Sequence, residues 1–144
     1  MLRRIAIGLV LAALVALPAT AQDHQKGVAA YKRGDYATAL KEWRPLAERG
    51  HANAQDNLGL MYTKGLGVPQ DFVLAHKWFN IGAIEGNEDA RKSRDNVEKI
   101  MTPQDVSEAQ RLVREWLAKQ NYYAEILRVS ASKSRQSLFG TRVN

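Results

Sequence analysis

The sequence predicts an all-α fold made of repeated helix pairs, and three observations carry that prediction. Nearly every segment between Gly and Pro residues repeats its apolar positions with the 3.6-residue period of a helix. No segment alternates apolar and polar residues for long, and β-branched residues are sparse. Most specifically, the chain matches itself at an offset of 36 with no gap. Asp35, Tyr36, Ala39, Trp43, Ala47, Gly50 and Ala54 align with Asp71, Phe72, Ala75, Phe79, Ala83, Gly86 and Ala90.

The first segment reads as an export signal. Arg3 and Arg4 precede an apolar run from Ile5 to Leu17, followed by Pro18-Ala19-Thr20-Ala21. A charged start, a short apolar stretch and a small-x-small site make a signal peptide over residues 1–21, cleaved after Ala21. The run is shorter than the roughly 20 residues a spanning helix needs, so no transmembrane span is expected after cleavage. The expected location is secreted, in a bacterial periplasm.

Charge and cysteine content narrow the function further. Of 144 residues, 21 are Lys or Arg and 15 are Asp or Glu, for a formal charge of +6. Only two of the basic residues and none of the acidic ones fall in the signal, leaving +4 from Gln22 onward. Most of that lies beyond Gln120, where Arg128, Lys133, Arg135 and Arg142 face only Glu125. The remainder is near neutral, without the clustered basic face that nucleic acid requires. With no cysteine, disulfides, thiol catalysis and thiolate metal sites are excluded, and the core alone must hold the fold.

Each element has a local rationale. Asp35 and Asp71 stand where an N-cap side chain accepts from free backbone N–H groups. After Asp35, the positions Tyr36, Ala39, Leu40, Trp43, Leu46 and Ala47 form one stripe; after Asp71, Phe72, Ala75, Phe79 and Ala83 do, with Trp78 beside them. Gly50 and Gly86 follow as left-handed C-terminal caps. Pro45 removes a backbone donor inside the first of these helices and predicts a bend. A partner helix over 52–64 carries Ala54, Leu58, Met61 and Tyr62 on its inner face. Gly59 within it costs about 1 kcal/mol of helix propensity, which predicts a close neighbouring helix or a large ring there. Gly65-Leu66-Gly67-Val68-Pro69 is a turn. Thr102-Pro103-Gln104-Asp105 opens a last helix reaching about Lys119, with Val106, Ala109, Leu112 or Val113, and Trp116 inward and Glu108, Arg111, Glu115 and Lys119 outward. Part of the tail, through Tyr122, Tyr123, Ile126 and Leu127, extends that helix, and the rest is expected to be disordered.

The stretch Ala54-Gln55-Asp56-Asn57-Leu58-Gly59-Leu60-Met61-Tyr62, then Gly65 to Asp71, then Ala75, Trp78-Phe79, Ala83 and Gly86, resembles the Sel1-like repeat, a relative of the tetratricopeptide repeat. The resemblance is dense over 54–90 and extends more weakly over 28–119. The unit before it, about 28–53, resembles a plain tetratricopeptide repeat: Tyr31 to Asp35 spans four residues where Tyr62 to Asp71 spans nine. The match fades after Ala90, so the third unit is terminal and closed by a capping helix. The implied architecture is an α/α superhelical repeat over 22–119 with a C-terminal capping helix, then a basic, flexible tail over 120–144.

Chemistry is sparse by comparison. His24, His51 and His76 lack the spacing of a helical metal site, and His76 is expected on an outer or intermediate face. There is no nucleophile elbow and no phosphate loop; Gly65-Leu66-Gly67 is followed by Val68-Pro69, which makes it a turn. Glu88-Asp89 reads as a helix start. The aromatic residues Trp43, Tyr62, Trp78 and Trp116 fall at core spacing. No catalytic, cofactor or metal residue is assigned.

What remains is a groove along the first helix of each unit. Its candidate residues are Asn57, Met61 and Lys64 in the second unit and Arg91, Arg94 and Asp95 in the third. The resemblance implies a non-catalytic adaptor that binds a peptide or a protein partner there. Self-association through the terminal repeat is a further possibility. One alternative is an envelope-associated protein whose basic tail holds anionic polymer or a membrane surface. A small hydrolase is a minor alternative, weakened by the absent cysteines and nucleophile–base pair.

Overall fold

The computed structural model describes residues 19–139 as six helices, with no strand among them. In chain order they are α1 (Ala19–Lys32), α2 (Tyr36–Glu48), α3 (Ala52–Lys64), α4 (Phe72–Ile84), α5 (Glu88–Glu98) and α6 (Pro103–Phe139). Most of the expected signal peptide, residues 1–18, lies outside the described residues, and α1 takes up its last three positions.

The caps fall where the sequence places them. Thr38 N donates to Asp35 Oδ1 at 3.1 Å, and Leu74 N donates to Asp71 Oδ1 at 2.9 Å. Asn87 caps α5 by accepting from the backbone N–H groups of Asp89 and Ala90. Asp105 N donates to Thr102 Oγ1 at 3.2 Å, which caps α6. The turn between α3 and α4 needs positive φ at Gly65 (67°) and Gly67 (69°), a backbone conformation that only glycine adopts without strain. Pro45 sits on the exposed side of α2, and the helix runs through it to Glu48.

Packing follows the helix pairs. α1 packs on α2, α2 on α3, and α3 on α4; α4 then takes α5 on one side and α6 on another. Each second helix of a pair sends one tryptophan into the core: Trp43 from α2, Trp78 from α4 and Trp116 from α6. Burying a large apolar side chain stabilises by roughly 1.5–3 kcal/mol, so these rings dominate the energetics of a small domain.

Two glycines explain how the first and second helix of a pair meet. A Cβ added to Gly59 of α3 would lie 2.5 Å from the Phe79 ring of α4, and one on Gly27 of α1 would lie 2.2 Å from Trp43 Nε1 of α2. Trp43 and Phe79 occupy the same repeat position. These first two pairs therefore close on the same contact, a flat ring laid on a bare stretch of helix backbone. Trp43 Nε1 also donates to the His24 carbonyl at 3.2 Å, fastening α1 to α2.

Two sequence expectations change. His76 is not on an outer face: it is 1% exposed, and its Nε2 lies 3.1 Å from Glu98 Oε2 of α5. α4 is the central helix, covered by α3, α5 and α6, so even the side away from its apolar stripe is buried. The second change concerns the tail. The extension of α6 through Leu127 does not give way there to a disordered segment, and the helix continues to Phe139. Gln120 Nε2 makes a last contact with the domain, donating to the Glu48 carbonyl at 3.0 Å. Every residue from Asn121 to Arg135 is exposed.

Candidate functional site

The first helices of the three pairs, α1, α3 and α5, line one face of the domain, and α3 lies between the other two. Two hollows open on this face. Between α1 and α3, Val28, Tyr31, Lys32, Asn57 and Leu60 surround about 210 Å³, floored by Trp43. Between α3 and α5, Leu60, Thr63, Ser93, Asn96, Val97 and Ile100 surround about 260 Å³, floored by Phe79. Leu60 lines both hollows and forms the ridge between them. The floors are the same two rings that close the helix pairs. The hollows are thus built into the repeat, one over each of these two rings, and spaced by it.

Their walls are mainly apolar, with amide and hydroxyl groups at the margins. Asn57 Nδ2 and His24 Nε2 lie 3.3 Å apart, which holds the Asn57 side chain at the edge of the first hollow. Burial holds the His24 imidazole below its ordinary value, and the nearby His51 lowers it further. The neutral ring so favoured can accept from Asn57. On the same helix, burial pushes the Asp56 carboxyl above the ordinary aspartate range, and Asp89 of α5 adds to the rise. Asp56 Oδ1 is buried without a hydrogen-bond partner among the described residues.

The sequence-predicted site residues fall in several places. Asn57 does line the groove. Met61 does not: it is 0% exposed and belongs to the core with Ala54 and Leu58. The groove position is its neighbour Leu60. Lys64 is exposed in the last turn of α3 but lines neither hollow. Arg91 folds back on its own helix, its guanidinium bonding Glu88 through Nε at 2.9 Å. Arg94 turns towards α4, with Nη1 3.2 Å from Asn80 Oδ1, and pairs with Asp95 at 2.7 Å. The groove side of α5 carries Ser93 and Asn96 instead, with Ile100 in the turn that follows.

The missed residues share a signal. Leu60 is a large apolar side chain only half-buried beside the core stripe of α3, and Ile100, in the turn after α5, is 64% exposed. An apolar residue that the packing pattern does not require is a mark of a contact surface. His24 and His51, distant in sequence, meet at a third hollow of about 330 Å³ with Thr20 and Asn53. Among the described residues, no three His, Asp or Glu side chains gather as metal ligands, and no helix is long and apolar enough to cross a membrane.

The fold and this face define an α/α repeat protein. The Sel1 repeat family matches residues 52–87, which run from the start of α3 to the cap of α5 and so hold one complete helix pair. A solved structure from uropathogenic Escherichia coli, a protective antigen displaying an SLR fold, matches 76% of this chain at a TM-score of 0.65 and 28% identity. This chain corresponds to 25% of that protein's length. Residues 52–87 thus carry a Sel1 repeat, and the chain is similar to that structure in its α/α repeat fold.

Proposed function

We propose that this protein is a non-catalytic interaction module that holds a peptide segment of a partner along the face of α1, α3 and α5. The observation that carries the reading is the pair of hollows divided by Leu60. Two apolar side chains of an extended peptide would fill them, while Asn57, Thr63, Ser93 and Asn96 at the margins would meet its backbone. A preformed apolar recess rimmed by a few polar groups is what recognition of a short segment requires. The area is small, so binding is weak or transient.

The module is proposed to act after export, on the reading of residues 1–21 as a cleaved signal. The mass of the protein extracted from cells tests this: loss of 21 residues is expected, and an intact N-terminus would contradict it. In-cell photo-crosslinking tests the groove. A photo-reactive residue at Leu60 should capture a discrete partner that one at Glu108, on the outer side of α6, does not. Equal capture at both positions, or capture only at Glu108, would remove the groove reading.

A further inference from the structure

α6 outlasts the domain it caps. Past the contact of Gln120 with the Glu48 carbonyl, residues 121–139 extend as an arm of about 28 Å at 1.5 Å per residue. The arm is not uniformly polar. Tyr122, Tyr123, Ile126, Leu127 and Val129 are between 43% and 69% exposed and share one face at helical spacing. That face continues an existing interface. Ala109, Val113, Trp116 and Gln120 turn towards the domain at alternating steps of four and three, and the same steps lead on to Tyr123 and Leu127. The stripe that packs against α4 therefore runs on beyond the length of α4. A lone helix of this length is marginal in water, and its apolar face is the part that calls for a cover.

We propose that the cover is the arm of a second copy, lying antiparallel across a twofold axis near Ile126 and Leu127. Continuity with a helix-packing stripe favours a helix as the occupant. The order of side-chain sizes favours the antiparallel sense. The near half of the stripe carries Tyr123 and Leu127, whereas the far half carries Ser130 and Ser134. An antiparallel pair sets Tyr123 of one arm beside Ser130 of the other; a parallel pair would set tyrosine on tyrosine. Glu125 and Arg128 pair 3.5 Å apart within one arm, on the side of the helix away from the stripe, and so leave the stripe free of charge. A lipid surface is the weaker occupant: between Asn121 and Arg135 the cations are only Arg128, Lys133 and Arg135, with Glu125 among them, short of the run of 4–8 that anionic lipid selects.

The test is sedimentation of the purified protein over a range of concentrations, with and without vesicles of anionic phospholipid. The mass should rise with concentration from one copy to two, because a stripe this small gives a pair that dissociates on dilution. Leu127→Glu should stay monomeric throughout, with unchanged melting temperature, since Leu127 makes no part of the domain core. A monomer at every concentration overturns the proposal, as does a dimer indifferent to Leu127→Glu. A monomer that floats with the vesicles through the same stripe also overturns it, and names lipid as the occupant.

Discussion

Gly59 shows how a single residue carries the fold. Alanine there would gain about 1 kcal/mol of helix propensity. Its Cβ would also press 2.5 Å from the ring of Phe79, which is 1% exposed and cannot swing away. Overpacking of this kind costs about 1–3 kcal/mol, so the clash outweighs the propensity. Gly59→Ala is expected to lower the melting temperature by several degrees in a thermal scan, and an unchanged or raised value would mean that the two helices part easily. Asp56 offers a second test at this scale. Burial, then Asp89, raise its carboxyl above the ordinary aspartate range. The folded state therefore favours the protonated form, and stability is lost as pH rises from the ordinary value through the raised one. Asp56→Asn should raise the melting temperature at neutral pH and leave it unchanged in acid, below the ordinary value of 3.8. Equal shifts at both pH values would contradict this. Single residues were legible in the sequence where one local rule decided them: the caps at Asp35 and Asp71, the glycine turn, and the ring over Gly59. Met61 and His76 were not, because their burial depends on which helices surround α3 and α4, and that is tertiary information.

At the scale of elements, helix identity was plain in the sequence and helix rotation was not. The core stripe of α3, through Ala54, Leu58 and Met61, is legible in the sequence. The sequence pattern puts the groove face on Asn57, Met61 and Lys64, whereas the hollows are lined by Asn57, Leu60 and Thr63. Positions three and four apart both lie near one face of a helix, so a shift of one residue is easily hidden in the pattern. On α5 the charge pattern points to Arg91, Arg94 and Asp95, yet their charges are satisfied by Glu88, Asn80 and one another. α6 departs from expectation in length, since no Gly or Pro stands between Pro103 and Phe139 to stop it. Its far part has a separable role. Truncation after Gln120 is expected to leave the melting temperature of the dilute protein within about 2 °C, since exposed residues contribute little to stability. A large drop would show that the arm folds back on its own domain.

As a whole molecule, the protein is a short stack of helix pairs with two surfaces that its own core does not use. One is the groove, where the repeat creates a hollow over each ring and Leu60 divides them. The other is the arm of α6. They lie on different elements, so changes in one should leave the other intact. The most direct test of the groove is selection from a displayed library of random peptides on the immobilised protein, followed by titration of the enriched peptides. The account predicts peptides with two apolar side chains. It further predicts that Leu60→Glu weakens their binding by tenfold or more, as expected when apolar groups worth roughly 1.5–3 kcal/mol each lose their site; Leu127→Glu should bind them as the unaltered protein does. Enriched peptides that bind Leu60→Glu as tightly as the unaltered protein, or no enrichment at all, would contradict it.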